Sequence, residues 1–153
     1  MDVRLINPFI SATANVLETM AFVKVQAGNP YLKKNSTALG DITGVIGLTG
    51  VANGTISVTF QSACILNIVS KMFGEKMEEL NGEIVDAVGE LTNMISGQAR
   101  KELEEIGKVF KAAIPSVITG KNHTITHCTS GPKIAIPFFV GDGSFTIEVS
   151  FER

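Results

Sequence analysis

The sequence has few cysteines and no long apolar run. Its two cysteines, Cys64 and Cys128, do not form a Cys-x-x-Cys pair or a similar metal motif, and 153 residues can bury a core without disulfides. Free thiols are typical of a reducing compartment, so we expect the cytoplasm. No apolar run approaches the roughly 20 residues that span a bilayer, and Met1 to Arg4 do not lead into a signal-like stretch. The sequence therefore predicts neither secretion nor membrane insertion.

The charge balance also excludes a class of partner. The net charge is −2, and no stripe of Lys and Arg with interleaved aromatic residues is present. Such a stripe is the usual footprint of nucleic-acid binding, so we expect no nucleic-acid partner. A protein or a small anionic group is still compatible with this charge. The length predicts one domain, residues 1–153.

The strongest pattern in the chain is a long amphipathic helix over about 82–106. Its apolar residues recur at steps of three and four, which places them on one stripe that faces a core. They are Ile84, Val88, Leu91, Ile95, Ala99, Leu103 and Ile106.

A second set of residues lies on the opposite face of this helix. At about 100° per residue, Asp86, Glu90, Asn93 and Gly97 cluster about 170° from the apolar stripe. An ordinary solvated helix face is the simplest interpretation of a Glu and an Asn three residues apart. However, a mid-helix glycine costs up to about 1 kcal/mol relative to alanine, which calls for a packing or docking reason. The pattern therefore favours a patch of helix on which another surface docks.

These residues resemble the signature of a known family. Asp86-x-x-x-Glu90-x-x-Asn93, followed by Met-Ile-Ser-Gly-Gln-Ala-Arg and later by Pro115, is similar to the motif of the CheX, CheC and FliY chemotaxis phosphatases. The length and the single intact motif are nearest to CheX. The resemblance implies a hydrolase that acts on the phosphorylated response regulator CheY, and a homodimer joined through sheet edges.

The resemblance also implies a role for each motif residue. In that family the CheY-type partner supplies the acyl phosphate, a bound Mg²⁺ and a lysine, and no cofactor is expected on this chain. Asn93 would orient the attacking water, and Glu90 would pair with the partner's lysine. Gly97 would permit close contact between the two surfaces, and Asp86 would cap or shape the motif. Glu90 and Asn93 have no base or metal beside them for self-contained catalysis, which agrees with a partner that supplies the chemistry.

The rest of the chain alternates between helical and strand patterns. Asn7 as the cap and Pro8 at the first helical position predict a helix over 7–21. Gly74 ends a second helix over 61–73, and Asn53-Gly54 predicts a hairpin between two strands. The predicted strands are 22–27, 42–48, 55–60, 109–117, 118–128, 134–140 and 144–151.

The order of these elements predicts an internal duplication. The positions Ser11, Asn15 and Glu18 repeat the spacing of the motif, with Asn and Glu exchanged, and the Asn-Gly and Asp-Gly turns also correspond. The helix and turn offsets differ by about fourteen residues, which we attribute to the helix over 61–73. The predicted class is α+β, with an extended and mostly antiparallel sheet, two long helices on one face, pseudo-twofold symmetry and one site.

Other chemical constellations are weaker. On an alternating strand His123 and His127 point away from Cys128, so a zinc site is disfavoured. Gly40, Gly44, Gly47 and Gly50 are not followed by Gly-Lys-Ser/Thr, so they indicate close strand packing or bulges rather than a phosphate loop. A solvated helix face is the usual interpretation of the charged residues Arg100, Lys101, Glu102, Glu104 and Glu105. The rival functional hypothesis is a non-catalytic binding or flagellar-switch scaffold domain of the same fold.

Overall fold

The computed structural model describes residues 3–35, 37–124, 131–141 and 143–152. Three helices are α1 (Val3–Ala21), α2 (Ser62–Phe73) and α3 (Gly82–Glu105). Eight strands are β1 (Gln26–Ala27), β2 (Tyr31–Lys33), β3 (Ile42–Gly50), β4 (Gly54–Phe60), β5 (Phe110–Ala112), β6 (Ser116–Thr119), β7 (Lys133–Val140) and β8 (Gly143–Phe151). In this part of the chain no helix is long and apolar enough to cross a membrane.

All eight strands form one antiparallel sheet with internal symmetry. The order is β1-β7-β8-β4-β3-β5, with β2 also on β7 and β6 also on β3. The central pair β4–β8 runs in register from Gly54 opposite Phe151 to Phe60 opposite Phe145. Each half of the chain therefore contributes a hairpin to the centre and two short strands to the edge of the other half's hairpin. This arrangement confirms the predicted pseudo-twofold α+β class.

The two long helices pack on each other and on one face of the sheet. Phe9 of α1 and Phe110 of β5 both contact the ring of Phe151, with centroids 6.2 and 5.2 Å away. The apolar stripe of α3 is buried from Ile84 to Leu103. Burial of these side chains supplies most of the driving force that holds α3 in one orientation.

Two connections between strands contact each other on the second face of the sheet. Residues 34–41 and the described part of 120–132 meet there, where Thr37 bridges Thr124 and the Ala38 amide donates to the His123 carbonyl at 2.7 Å. Beneath them lies a buried ion pair, with Lys33 Nζ 2.6 Å from a Glu148 carboxylate oxygen. The first strand of each hairpin follows a short strand that pairs with the other hairpin, so these two connections join the two halves of the sheet.

Several local predictions are confirmed. The β3–β4 hairpin turns at Val51–Asn53, and α2 ends at Gly74 in the left-handed conformation, with φ 70°. The helix α3 begins after Asn81, whose side-chain oxygen accepts from the Ile84 amide at 3.2 Å. This cap satisfies one of the free amides of the first turn.

The first helix was predicted wrongly at its start. Asn7 is not the cap and Pro8 is not the first helical residue, because α1 already begins at Val3 and continues through Pro8. The proline removes one helical hydrogen bond. Ile6, upstream of it, is buried in the core at 6% exposure, and that burial offsets the loss.

Other boundaries differ because the edge strands are short. The strand predicted over 22–27 is only β1, and β2 follows Pro30 where a break was expected. The strand predicted over 109–117 is two strands, β5 and β6, which both pair with β3. Of the strand predicted over 118–128, the first two residues belong to β6 and Thr124 forms one bridge. Residues 120–123 form a turn rather than a strand, and 125–128 lie outside the described residues. A short strand at a sheet edge gains stability from its neighbour rather than from its own pattern.

The explanation given for the unequal offsets is also wrong. The helix α2 lies between the first hairpin and α3, so it cannot lengthen the second copy. Most of the extra residues lie in α3 itself, because Ser96 matches Ala21 at the end of α1 and α3 continues to Glu105. The turn residue Asp142 that was aligned with Asn53 lies outside the described residues.

Candidate functional site

A glycine in β3 determines how closely α3 packs on the sheet. A Cβ on Gly44 of β3 would lie 1.9 Å from Thr92 Oγ1, so only glycine allows the helix to lie this close. Thr92 is 1% exposed, and its hydroxyl donates to the Val88 carbonyl at 2.7 Å. Thr92 directly precedes Asn93, and this contact therefore fixes the height of the motif above the sheet.

The flank of α3 lies against the edge of the sheet. A Cβ on Gly89 would lie 3.5 Å from Val117 Cγ2 of β6, an ordinary van der Waals distance. Val117 pairs with Gly44 in the sheet, so both contacts hold the same turn of the helix. Pro115 lies half-buried in the connection between β5 and β6 on this side.

The four motif residues lie on the face that was predicted. Asp86, Glu90 and Asn93 are exposed, and Gly97 is half-buried. Because Glu90 and Asn93 are three residues apart on a helix, their side chains are neighbours. The structure thus brings together a carboxylate and a carboxamide on a convex surface that a second molecule can reach.

Gly97 has no packing reason within the described chain. Apart from its own helix backbone, a Cβ there would meet only Nη2 of Arg100, at 3.7 Å, which is ordinary contact. The helix therefore carries the free-energy cost of a mid-helix glycine without an internal clash to explain it. A surface that docks against the helix would explain it.

The matching face of α1 differs from the motif face. Ser11, Asn15 and Glu18 are all exposed, and the Ser11 hydroxyl donates to a Glu102 carboxylate oxygen at 2.8 Å. The position that matches Gly97 is Phe22, which is 79% exposed and has a φ of 57°. The face of α1 therefore lacks the motif's order of Glu before Asn. It also carries a phenylalanine where the motif face has a glycine.

His123, which was weighed and disfavoured as a zinc ligand, has other partners in the structure. His123 lies outside a strand, where its Nε2 is 2.6 Å from Thr43 Oγ1 and its Nδ1 is 2.5 Å from the Gly120 carbonyl oxygen. Nε2 thus holds this connection on β3, and Nδ1 braces the connection internally. His127 and Cys128 lie outside the described residues. Within the described ranges no group of three or more His, Cys, Asp or Glu side chains could hold a metal ion.

Gly40, which precedes β3, and the three glycines within β3 were interpreted as marks of close packing or bulges. Gly44 and Gly40 have such contacts, since a Cβ on Gly40 would lie 2.8 Å from the Phe60 carbonyl oxygen. Gly50 has a φ of 143°, a region that favours glycine. Gly47 has open space around its Cβ position.

Two helix residues outside the predicted set also matter here, buried Thr92 beneath the surface and Arg100 on it. Thr92 sets the height of Asn93, and Arg100 lies beside Gly97. Arg100 was grouped with the charged residues of a solvated face. Its spacing of seven residues from Asn93, two helical turns, is the signal that could have found it.

Comparison with known proteins identifies the family. A family model for the chemotaxis phosphatase CheX matches residues 42–139, which is more than half of the chain and includes the whole motif. The chain belongs to the CheX family of chemotaxis phosphatases. The family and the phosphatase class indicated by the motif are therefore confirmed.

Relatives of the CheX family resemble this chain over most of its length. The CheY-P phosphatase CheX of Thermotoga maritima is 28% identical over 123 residues, 80% of this chain and 79% of that protein. The crystal structure of CheX from Desulfovibrio desulfuricans is 50% identical, with a TM-score of 0.90 over 97% of this chain and 99% of that one. A CheX–CheY–BeF3–Mg²⁺ complex from Borrelia burgdorferi shares the fold, with 24% identity and a TM-score of 0.83 over 97% of each chain.

Proposed function

We propose that this protein hydrolyses the aspartyl phosphate of a CheY-type response regulator and that Asn93 and Glu90 perform the two main tasks. The observation that carries the proposal is the exposed Glu90–Asn93 pair beside Gly97, a glycine for which the described chain has no packing reason. The relative in Thermotoga maritima carries the name CheY-P phosphatase, and the Borrelia complex contains CheY, which supports this choice of partner.

The reaction requires little covalent chemistry from this chain. Water attacks the phosphorus, the bond from phosphorus to the aspartyl oxygen breaks, and the aspartate leaves as a carboxylate with release of inorganic phosphate. Phosphoryl transfer of this kind depends mainly on positioning and on electrostatic stabilisation. We assign the Mg²⁺ that neutralises charge on the phosphoryl group to the response regulator, whose complex in Borrelia burgdorferi includes this ion by name.

Asn93 is suited to the positioning of water. Its carboxamide offers a donor and an acceptor but no ionisable group near neutral pH, so it orients a nucleophile without removing its proton. Because α3 is rigidly packed through Thr92 and Gly44, the amide is presented at a defined height. Correct placement of a water for in-line attack lowers the entropic part of the barrier.

Glu90 is suited to docking. It lies one turn from Asn93 on the same exposed face, and its carboxylate would pair with the lysine of the partner's site. Such a charge-assisted contact strengthens when the interface excludes water. Gly97 would let the partner approach the helix, and Asp86, one turn before Glu90, would shape the start of this surface.

The test measures phosphate loss from a phosphorylated CheY-type response regulator with Mg²⁺, with and without this protein. We expect decay well above the partner's own rate. Asn93→Ala should remove most of the acceleration and leave affinity nearly unchanged, because the lost interaction exists mainly in the transition state. Asn93→Asp should also be slow, since it places an anion beside the phosphoryl group.

Glu90→Ala should act on binding instead. We expect it to weaken docking by about 2–5 kcal/mol at low salt, more than Asn93→Ala does. Asn15→Ala, on the matching face of α1, is the control for a change on an exposed helix and should retain activity. Binding by several response regulators without faster decay would favour the scaffold hypothesis, and full activity of Asn93→Ala would contradict the mechanism.

A further inference from the structure

The guanidinium of Arg100 lies on the motif face. Arg100 follows Asn93 by seven residues, which places it about 20° away around the helix and about 10 Å along it. Helical side chains lean toward the N-terminus, and this one does so, since its Nη2 lies 3.7 Å from the position of a Cβ on Gly97. The positive charge therefore lies over the glycine, on the side of Arg100 that faces Asn93.

This guanidinium has spare hydrogen-bonding capacity. Arg100 is half-buried, and its Nε donates to Ser96 Oγ at 3.3 Å. Among the described residues no carboxylate lies within ion-pair distance of it. A guanidinium has five N–H donors, so most of them remain available to a second molecule. The side chain is already held by Ser96, and less entropy is lost when it binds.

Lys101, the next residue, provides a contrast. It carries the same charge and is exposed, but it lies about 80° around the helix from Asn93, on the side of Glu90, whereas Arg100 lies about 20° from Asn93. Any general electrostatic attraction of a partner would involve both cations nearly equally. A specific contact beside Asn93 would depend on Arg100 more than on Lys101.

We infer that Arg100 is a positioning residue that binds an anionic group of the docked response regulator beside the acyl phosphate. The inference rests on the proposed function of the Glu90–Asn93 face. Arginine suits this task because its planar fork binds a carboxylate or a phosphoryl group in a bidentate manner. Glu90 and Arg100 then give the docking face one anion and one cation on either side of Asn93, which sets the orientation of the partner.

The experiment measures the affinity of the protein for a CheY-type response regulator with Mg²⁺, with and without beryllofluoride, by titration calorimetry. With beryllofluoride, Arg100→Gln should raise the Kd about ten-fold and Arg100→Lys by a smaller factor, while Lys101→Gln should change it less than about two-fold. In steady-state hydrolysis the loss for Arg100→Gln should appear mainly in the half-saturating concentration. The thermal midpoint of each variant checks that the fold is kept.

The two forms of the partner distinguish the two anionic sources. A loss of affinity only with beryllofluoride assigns the contact to the phosphoryl group, and an equal loss in both forms assigns it to a carboxylate of the response regulator. Equal effects of Arg100→Gln and Lys101→Gln, or none from either, would overturn the inference. If the wild-type protein itself neither binds nor accelerates decay, the proposed function has failed instead.

Discussion

Replacement of Gly44 by alanine tests how the functional helix is held on the sheet. The new Cβ would lie 1.9 Å from Thr92 Oγ1 and 3.0 Å from Thr92 Cβ. Thr92 cannot rotate away cheaply, because its hydroxyl donates to the Val88 carbonyl and its side chain is fully surrounded. The helix or the strand must therefore shift.

Two opposed effects determine how much Gly44→Ala changes the free energy of unfolding. Overpacking of a core contact typically costs about 1–3 kcal/mol. The loss of a glycine restricts the unfolded chain and returns about 0.4–1 kcal/mol. We therefore expect Gly44→Ala to lower the free energy of unfolding by about 1–2 kcal/mol, which for a chain of this size is a fall in Tm of about 3–8 °C.

Urea unfolding followed by circular dichroism would measure this change. Gly47→Ala is the matched control, since Gly47 lies on the same strand and its Cβ would have open space within 4 Å. It should be neutral or slightly stabilising. The double variant Gly44→Ala/Thr92→Ala removes the closest atom and should be about 1 kcal/mol more stable than the sum of the single changes predicts. Wild-type stability of Gly44→Ala, or purely additive effects, would refute this account of the contact.

Three further predictions concern the free protein and its partner. Gly97→Ala should stabilise the isolated chain by about 0.5–1 kcal/mol while it weakens binding of the response regulator, and a loss of stability would show that an internal contact needs this glycine. Burial raises the pKa of the Cys64 thiol from 9.0 to about 11, so the neutral thiol is favoured in the folded state and its contribution to stability is lost as pH rises through that interval. Wild type should therefore lose more stability than Cys64→Ala between about pH 9 and 11 in parallel urea titrations, and identical profiles would contradict the assignment. Family resemblance implies a homodimer joined through sheet edges, and light scattering at micromolar concentration should give twice the chain mass; a monomer mass would count against it.

Much of the functional site could be predicted from the sequence, because it lies on one helix. The period of 3.6 residues alone separates the buried stripe of α3 from the face with Glu90 and Asn93. The same period places Arg100 near this face, but its charge led us to group it with Lys101 on a solvated helix face. Only the packed structure distinguishes the two cations, since it shows one of them folded over Gly97.

What the sequence by itself determined is local: the periods of the long helices, the Asn53-Gly54 hairpin and the cap at Gly74, where a few neighbouring residues decide the conformation. The start of α1 at Val3, the short edge strands and the contact of residues 34–41 with His123 are decided by the tertiary structure alone. Each of these depends on contacts between residues far apart in sequence, whose free energy can outweigh a local preference of about 1 kcal/mol. The close contact of Gly44 with Thr92 is of the same kind, and it places Asn93 where a partner can reach it.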